Sequence, residues 1–199
     1  AGEAEAQSQA RPFGASDQPV DIRSEQLDVD DTAKHARFTG SVRATQGAGT
    51  LESPALDVYY SGATPGLAGA AGTDEPAQGK VRRIVAKGPV VMTQATGDRV
   101  TSDSAEFDTE SAKALLVGTA VMTREPDRRA VGRRAEIDQK AETLVLVGGV
   151  SVSQGLSEMH GERLVSDRKS GRTRLSAAPA DGGKGRISAR FFRAAAAAS

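Results

Sequence analysis

Lys113–Gln139 reads "KALLVGTAVMTREPDRRAVGRRAEIDQ", and in the middle of an otherwise strand-like apolar run stands a glycine, Gly118. Thirty residues on, Glu142–Gly155 reads "ETLVLVGGVSVSQG" and breaks its run at the same place, at Gly148. The two stretches belong to an internal repeat. Val29–Thr45 "VDDTAKHARFTGSVRAT", Phe107–Thr123 "FDTESAKALLVGTAVMT" and Ile137–Ser153 "IDQKAETLVLVGGVSVS" align beneath one another. In each, an apolar residue and Asp lead into a polar turn, then an apolar run that ends in glycine, with eleven residues from the first apolar position to the glycine. "RRIVAKGPVVMTQ" is a weaker copy, and "SDRKSGRTRLSA" starts a truncated last one. A fixed period of this kind marks a repeated supersecondary unit.

Each unit of about thirty residues holds two runs. Leu144, Leu146, Val150 and Val152 alternate with period two, the signature of a half-buried strand. The turns "DTESAK", "EPDRRA" and "DQKAET" are too short for crossovers, so neighbouring strands are antiparallel. No stretch has the periodicity of an amphipathic helix. The expectation is an all-β meander of roughly ten long strands, with Gly40, Gly88, Gly118 and Gly148 marking a corner where each long strand bends from one sheet into another. Counted from these glycines, Phe38, Ala86, Leu116 and Leu146 share a face with Val42, Val90 and Val150. The third cycle has Ala120 in phase and Val121 one residue late, which points to a local bulge there.

Composition sets the outer bounds. A chain of 199 residues, 38% hydrophobic, supports one sizeable core. Acidic and basic residues balance at 26 each, so no long-range field recruits nucleic acid, and none is expected as a partner. Cysteine is absent, which excludes disulfides, thiolate metal sites and cysteine nucleophiles. No apolar stretch approaches the ~20 residues that span a bilayer, and an exported protein would correspond here to its mature form. Residues 1–19 are small, polar and aperiodic and are expected to be a disordered tail. Residues 20–177 form the folded domain, interrupted by a Gly/Ala/Pro-rich loop over 61–80, and 178–199 is a flexible C-terminal segment whose "AAAAAS" ending has the look of an added or frayed tail.

The glycine-broken repeat, the strand endings "AEFD" and "AEID", and the opening "VDIRSEQLDVDDTAKHARFTGSVRATQGAGTLESPALDVYY" resemble the periplasmic lipopolysaccharide-transport proteins of the LptA/OstA-like family, over about Val20 to Leu175. The resemblance implies an elongated, twisted open β-jellyroll of antiparallel strands built from these ~30-residue repeats, whose interior holds the acyl chains of lipid A. It also implies a periplasmic location, an LptC-like inner-membrane partner, an LptD-like outer-membrane partner and head-to-tail self-association. The long 61–80 loop, the N-terminal tail and the low aromatic content of 4% depart from the pattern. On this resemblance, the groove interior comprises Ile22, Leu27, Phe38, Val42, Leu56, Val58, Val90, Met92, Phe107, Leu116, Met122, Ile137, Leu144, Leu146, Val150 and Val152.

An apolar groove suits such a cargo. Each methylene moved into water costs about 0.8 kcal/mol, so a chain of ~12 carbons resists desorption by roughly 10 kcal/mol. The same alternation also closes a dry core, and periodicity alone does not separate the two. Arg37, Arg43, Arg82, Arg83, Arg128, Arg129, Arg133 and Arg134 read as a solvated face that is able to meet lipid phosphates at a groove mouth. His35, in a turn, and His160, near a strand, are expected to be exposed, and they lack metal-ligand spacing. "LDVDD" reads as strand end plus turn and not as a calcium loop, and "GLAGAAG" and "GLSEM" lack the context of nucleotide or nucleophile motifs. No catalytic constellation, metal site or cofactor is expected. The competing class is a structural β-solenoid scaffold of the bactofilin type, which would polymerise through open sheet edges around a dry core. Short regular parallel rungs would mark it, against the tight-turned thirty-residue units seen here. A closed lipocalin-like barrel is disfavoured, because no device for closing a barrel is visible.

Overall fold

The Asp that opens each repeat makes the turn that follows it. Asp30 Oδ1 accepts a hydrogen bond from the Ala33 amide, Asp108 Oδ1 from Glu110 and Ser111, Asp138 Oδ1 from Ala141, and Asp167 Oδ1 from Lys169 and Ser170. These Asx turns offer the backbone donors a partner as the chain reverses. Each turn closes on a residue of positive φ at the same repeat position: Lys34, Ala112, Glu142 and Gly171. In a computed structural model that describes residues 20–62, 80–94, 97–124, 127–177 and 186–191, these turns join strands into one antiparallel meander.

The strands are β1 (Asp21–Arg23), β2 (Gln26–Asp30), β3 (His35–Gln46), β4 (Gly49–Ser61), β5 (Lys80–Thr93), β6 (Arg99–Asp108), β7 (Lys113–Arg124), β8 (Arg128–Asp138), β9 (Thr143–Gln154), β10 (Ser157–Asp167), β11 (Arg172–Ser176) and β12 (Ser188–Arg190). Where about ten long strands were expected, the described residues hold eight of 10 to 14 residues, β3 to β10, with two short ones at each end. The order is β1-β3-β4-β5-β6-β7-β8-β9-β10-β11, with β2 also on β3 and β12 also on β10. All of 1–19 and most of the 61–80 loop and of 178–199 lie outside the described residues, although Ser188–Arg190 carries the sheet beyond the boundary expected at 177.

Each long strand passes from one leaf to the other, as expected, and the hydrogen-bonded path joins the two leaves into one folded sheet. Gly40, Gly88, Gly118 and Gly148 all have φ between 78° and 89°, and at each the register slips by one residue against the strands on both sides. The bulge is therefore a feature of every cycle, not of the third alone. β3, β5, β7 and β9 each carry one extra residue, and bulges bend the strand that carries them. Val42 faces Ser53 and Phe38 faces Leu56, so four residues on β3 span three on β4. As a result the buried face keeps its parity through the bend on odd strands, and on β4 it switches from Leu51 and Ser53 to Leu56 and Val58.

The partner at each bend explains why glycine is needed. A Cβ on Gly88 would stand 2.8 Å from Pro54 Cγ, one on Gly118 2.6 Å from Asp103 Cβ, and one on Gly148 3.0 Å from Arg133 Cβ; Gly40 meets Glu25 in the same way. The side chain across the bend fills the space that a Cβ would take. On the inner side the even strands place small residues, Ser53, Ser102, Gly132 and Gly161. The hydroxyls of buried Ser53 and Ser102 each donate to a carbonyl two residues on, Ala55 and Ser104, at 3.0 Å.

Both ends of the sheet break at the same line. β1 pairs with one half of β3 and β2 with the other, the break falling at Ser24 and Glu25; β12 and β11 divide β10 likewise. Each leaf thus ends in its own edge strands, and the architecture is an open β-jellyroll. Among the described residues every pair is antiparallel, unlike the parallel coils of a solenoid scaffold.

Candidate lipid-binding interior

Cross-strand register sorts the apolar residues into rows that run the length of the molecule. The first row is Leu27, Phe38, Leu56, Ala86, Ala105, Leu116, Ala135, Leu146, Leu164 and Leu175. Below it in the same leaf lie Val29, Ala36, Val58, Ile84, Phe107, Ala114, Ile137 and Leu144, ending in Ser166 and Thr173. The other leaf contributes Ile22, Ala44, Leu51, Met92, Val100, Met122, Ala130, Val152, Met159 and Ala189. A flat sheet cannot bury its own face, so the near-zero exposure of Leu51, Leu56, Leu116 and Leu146 shows that the leaves close on each other. Val42, Val90 and Val150 line the bend between them.

Nine of the sixteen residues expected to line the interior are buried: Val42, Leu56, Val58, Val90, Met92, Phe107, Leu116, Leu146 and Val150. Ile22, Phe38, Met122, Ile137, Leu144 and Val152 are half-buried and pack against this core. Leu27 is 43% exposed, because it ends its row at the edge strand and has no neighbour beyond it. The rows also include residues that periodicity within one run did not reveal, among them Leu51, Ile84, Val100, Leu164 and Leu175.

Closure is uneven along the rows. From β3 to β6 the interior is sealed by Ala44, Leu51, Met92, Val100, Val58, Ile84 and Phe107, while from β7 and β8 onward Met122, Ala130, Ile137, Leu144, Val152 and Leu175 are only partly covered. Away from the exposed edge residues Leu27 and Val29, the outer rows are tightest between β3 and β6 and loosen from β7 onward, while the first row stays buried from Leu56 to Leu164.

The outer face is more apolar than the alternation implied. Leu115, Val117, Val145, Val147 and Val165 lie on it, with Val117 44% exposed. Of the arginines expected on this face, three pair across strands, Arg37 with Asp57 at 2.7 Å, Arg83 with Glu106 at 2.8 Å and Arg43 with Glu52 at 3.6 Å, while Arg134 pairs with Glu136 along its own strand. His35 departs from expectation. It opens β3, is half-buried, stacks on Tyr59 at 4.8 Å, and brings Nε2 to 2.8 Å from Asp57 Oδ1; His160 is exposed as expected. Asp57 is only 1% exposed, and its Oδ2 has no hydrogen-bond partner, although Lys87 Nζ stands 3.7 Å away. Burial pushes this carboxyl up, but hydrogen bonds from Arg37 and His35 outweigh it and hold the carboxyl below its ordinary value. The same bond to Asp57 raises Arg37. This cluster is a structural brace on the outer face, away from the interior rows. Among the described residues no group of His, Asp and Glu is arranged to hold a metal ion.

Comparison with known proteins bears on the same sheet. The structure resembles the crystal structure of LptH, the LptA-homologous periplasmic component of the lipopolysaccharide transport device of Pseudomonas aeruginosa, across 88% of this chain and 96% of that one, at 16% identity and a TM-score of 0.37. An uncharacterized protein of Rhizobium meliloti (strain 1021) is 39% identical over 46 residues, which is 23% of this chain and a quarter of that protein's length. The pattern of the family described as LptA/(LptD N-terminal domain) LPS transport protein matches residues 21–129, more than half of the chain and spanning β1 to the start of β8. The chain belongs to this family of lipopolysaccharide transport proteins.

Proposed function

We propose that the chain is a periplasmic, non-enzymatic carrier that holds the acyl chains of lipid A between its two leaves and bridges an LptC-like inner-membrane partner to an LptD-like outer-membrane partner. The observation that carries the proposal is the continuity of the interior rows from one open edge to the other, Leu27 to Leu175, with partial exposure from β7 onward. A closed core has no use for apolar rows that run out at an unpaired edge. A conduit for acyl chains needs them, since transfer along an unbroken apolar row avoids the ~0.8 kcal/mol per methylene of exposure to water. The leaves part to admit cargo, and they part most easily where Met122, Ile137, Leu144 and Val152 are incompletely packed. End-to-end association through the edge strands would extend the rows from copy to copy.

The test is photocrosslinking in cells from an amino-acid photoprobe at Phe38 or Leu146 on the interior, and at Val117 on the outer face. Lipopolysaccharide adducts from the interior positions alone support the proposal. Adducts from none, with the folded protein present in the periplasm, would make the interior a dry core.

A further inference from the structure

One hairpin breaks the line on which the others end. The row Asp30, His35, Tyr59, Arg83, Asp108, Lys113 and Asp138 marks where the neighbouring turns reverse the chain, but β4 and β5 run past it through Tyr60 and Ser61 and through Val81 and Lys80. The projecting hairpin walls an open recess of about 560 Å³, flanked by the turn at Lys34 and the turn at Asp108 and Glu110. Both turns are fastened to it. The Tyr60 amide donates to Lys34 O at 3.0 Å, and the Thr109 amide and hydroxyl donate to Arg82 O at 3.0 and 2.9 Å.

A bulge aims an arginine into this recess. Tyr59 faces Arg83 and Tyr60 faces Val81, so Arg82 is an extra residue, in the one register shift among the described strand pairs that lies outside the glycine bends. Ile84 is buried and Arg83 exposed, so strict alternation would turn Arg82 inward beside Ile84. The bulge re-aims it outward, next to Arg83. Arg37, Arg83 and Arg124 are each held by a carboxylate, whereas Arg82 makes no ion pair among the described residues.

Tyr59 supplies a fixed donor beside it. His35 from β3 stacks on its ring at 4.8 Å, and Arg83 from β5, itself tied to Glu106 at 2.8 Å, lies over it at 5.6 Å. The ring is clamped between these neighbours, which leaves no face for a nucleobase, while its hydroxyl has no hydrogen-bond partner among the described residues. Acids complete the set. Asp108 Oδ1 is spent on the amides of Glu110 and Ser111, which leaves its second oxygen and the exposed Glu110 carboxylate at the rim. Guanidinium, ammonium and phenol donate to a phosphate, and carboxylates accept from hydroxyls, so the mixture fits an anion that is also polyhydroxylated.

We propose that the recess binds a phosphorylated saccharide, with its phosphate on Arg82, Lys34 and the Tyr59 hydroxyl and its sugar hydroxyls on Asp108 and Glu110. Tyr60 is a wall of the recess and, at 3% exposure, a member of the core, so the site adjoins the interior. A lipid with its acyl chains between the leaves brings its phosphorylated sugars to this lip, a source that rests on the carrier reading given above. A free sugar phosphate offers the same groups.

Four probes separate these sources: lipopolysaccharide stripped of its acyl chains, the same saccharide after phosphatase treatment, glucosamine 1-phosphate, and inorganic phosphate, each titrated calorimetrically into the full chain. The deacylated saccharide should bind, and removal of its phosphates should abolish binding. Arg82→Glu should weaken it at least about tenfold, and Tyr59→Phe, which keeps the ring against His35, about threefold to tenfold. Arg129→Glu, at an exposed arginine of the other leaf, is the matched control and should alter binding by less than about twofold. Circular dichroism checks that each variant is folded. Tighter binding of the deacylated saccharide than of glucosamine 1-phosphate supports the lipid headgroup as the source, and equal binding supports a free sugar phosphate. No saccharide binding at millimolar concentration, equal loss in Arg82→Glu and Arg129→Glu, or inorganic phosphate binding as tightly as either saccharide would overturn the proposal. Lipid adducts from Leu146 report the carrier reading separately, so either reading can fail while the other stands.

Discussion

Replacing Gly118 by alanine isolates what the bend costs. An L-residue in the left-handed region is strained by about 1–2 kcal/mol. At Gly97, with φ 85°, no atom lies within 4 Å of the point where a Cβ would stand, so Gly97→Ala carries that backbone strain alone. Gly118, at φ 78°, adds a collision with Asp103 Cβ at 2.6 Å, and forcing extra volume into a packed site adds about 1–3 kcal/mol. Both substitutions gain the same small amount from a stiffer unfolded chain, so their difference reports the collision. With about 2–4 °C of melting temperature per kcal/mol for a domain of this size, Gly97→Ala should lower the midpoint by about 2–8 °C, and Gly118→Ala by a further ~2–12 °C. Gly88→Ala, against the rigid ring of Pro54 at 2.8 Å, should resemble Gly118→Ala, while Gly148→Ala should be milder because its closest approach, to Arg133 Cβ, is longer at 3.0 Å. Adding Asp103→Gly to Gly118→Ala should recover part of the loss. The assay is thermal unfolding followed by circular dichroism, and equal shifts for Gly97→Ala and Gly118→Ala would refute the account of the bend.

Three further outcomes are expected. Thr119→Gly should stabilise by about 1 kcal/mol, since Thr119 has φ 32° and a β-branched side chain there is strained, whereas β9 places Gly149 at the same position; an unchanged or lower midpoint would contradict this. Because the folded carboxyls of Asp57, Asp108 and Asp167 are all lowered, their stabilisation is present above the unfolded value near 4 and is lost as pH falls through the folded values. Chemical denaturation should thus show little change from these groups between about pH 7 and pH 5 and a fall below about pH 4, with a shallower fall in Asp57→Asn, which should also be less stable near neutral pH. Leu146→Asp should abolish lipid binding, while Val145→Asp on the outer face should spare it in a binding assay with purified lipopolysaccharide; equal loss in two folded variants would place the binding surface elsewhere.

The repeat made much of this legible. Gly40, Gly88, Gly118 and Gly148 announced the bend, and the Asp of each unit announced its turn, because both jobs demand a residue type that few others can fill. Even strands were harder to read. Ser53 and Ser102 are buried where an apolar residue is the usual signal, and the core face changes parity beside them, so a period-two count through β4 or β6 loses its phase. The environment of His35 was hidden for a related reason: Asp57 lies twenty-two residues away on another strand, and no local pattern carries a pairing that only register creates. Ser188–Arg190 gave no signal because three residues without an apolar alternation do not read as a strand; pairing with β10 makes the strand. Whether the interior takes lipid was not legible, since one apolar pattern serves a core and a groove alike.

The confinement of the extra residue to alternate strands has an evolutionary consequence. One odd strand and the even strand after it form a self-sufficient length of bent sheet, with its glycine, its small residue at the bend and its Asp turn already in place. Tandem duplication of one such hairpin would lengthen the molecule by two strand spacings, about 10 Å, without disturbing the phase of any other strand. Deleting a single strand would instead set two strands of the same kind side by side and leave the bend without its complementary partner. Change in length should therefore come in whole hairpins, and the span that one copy covers is quantised.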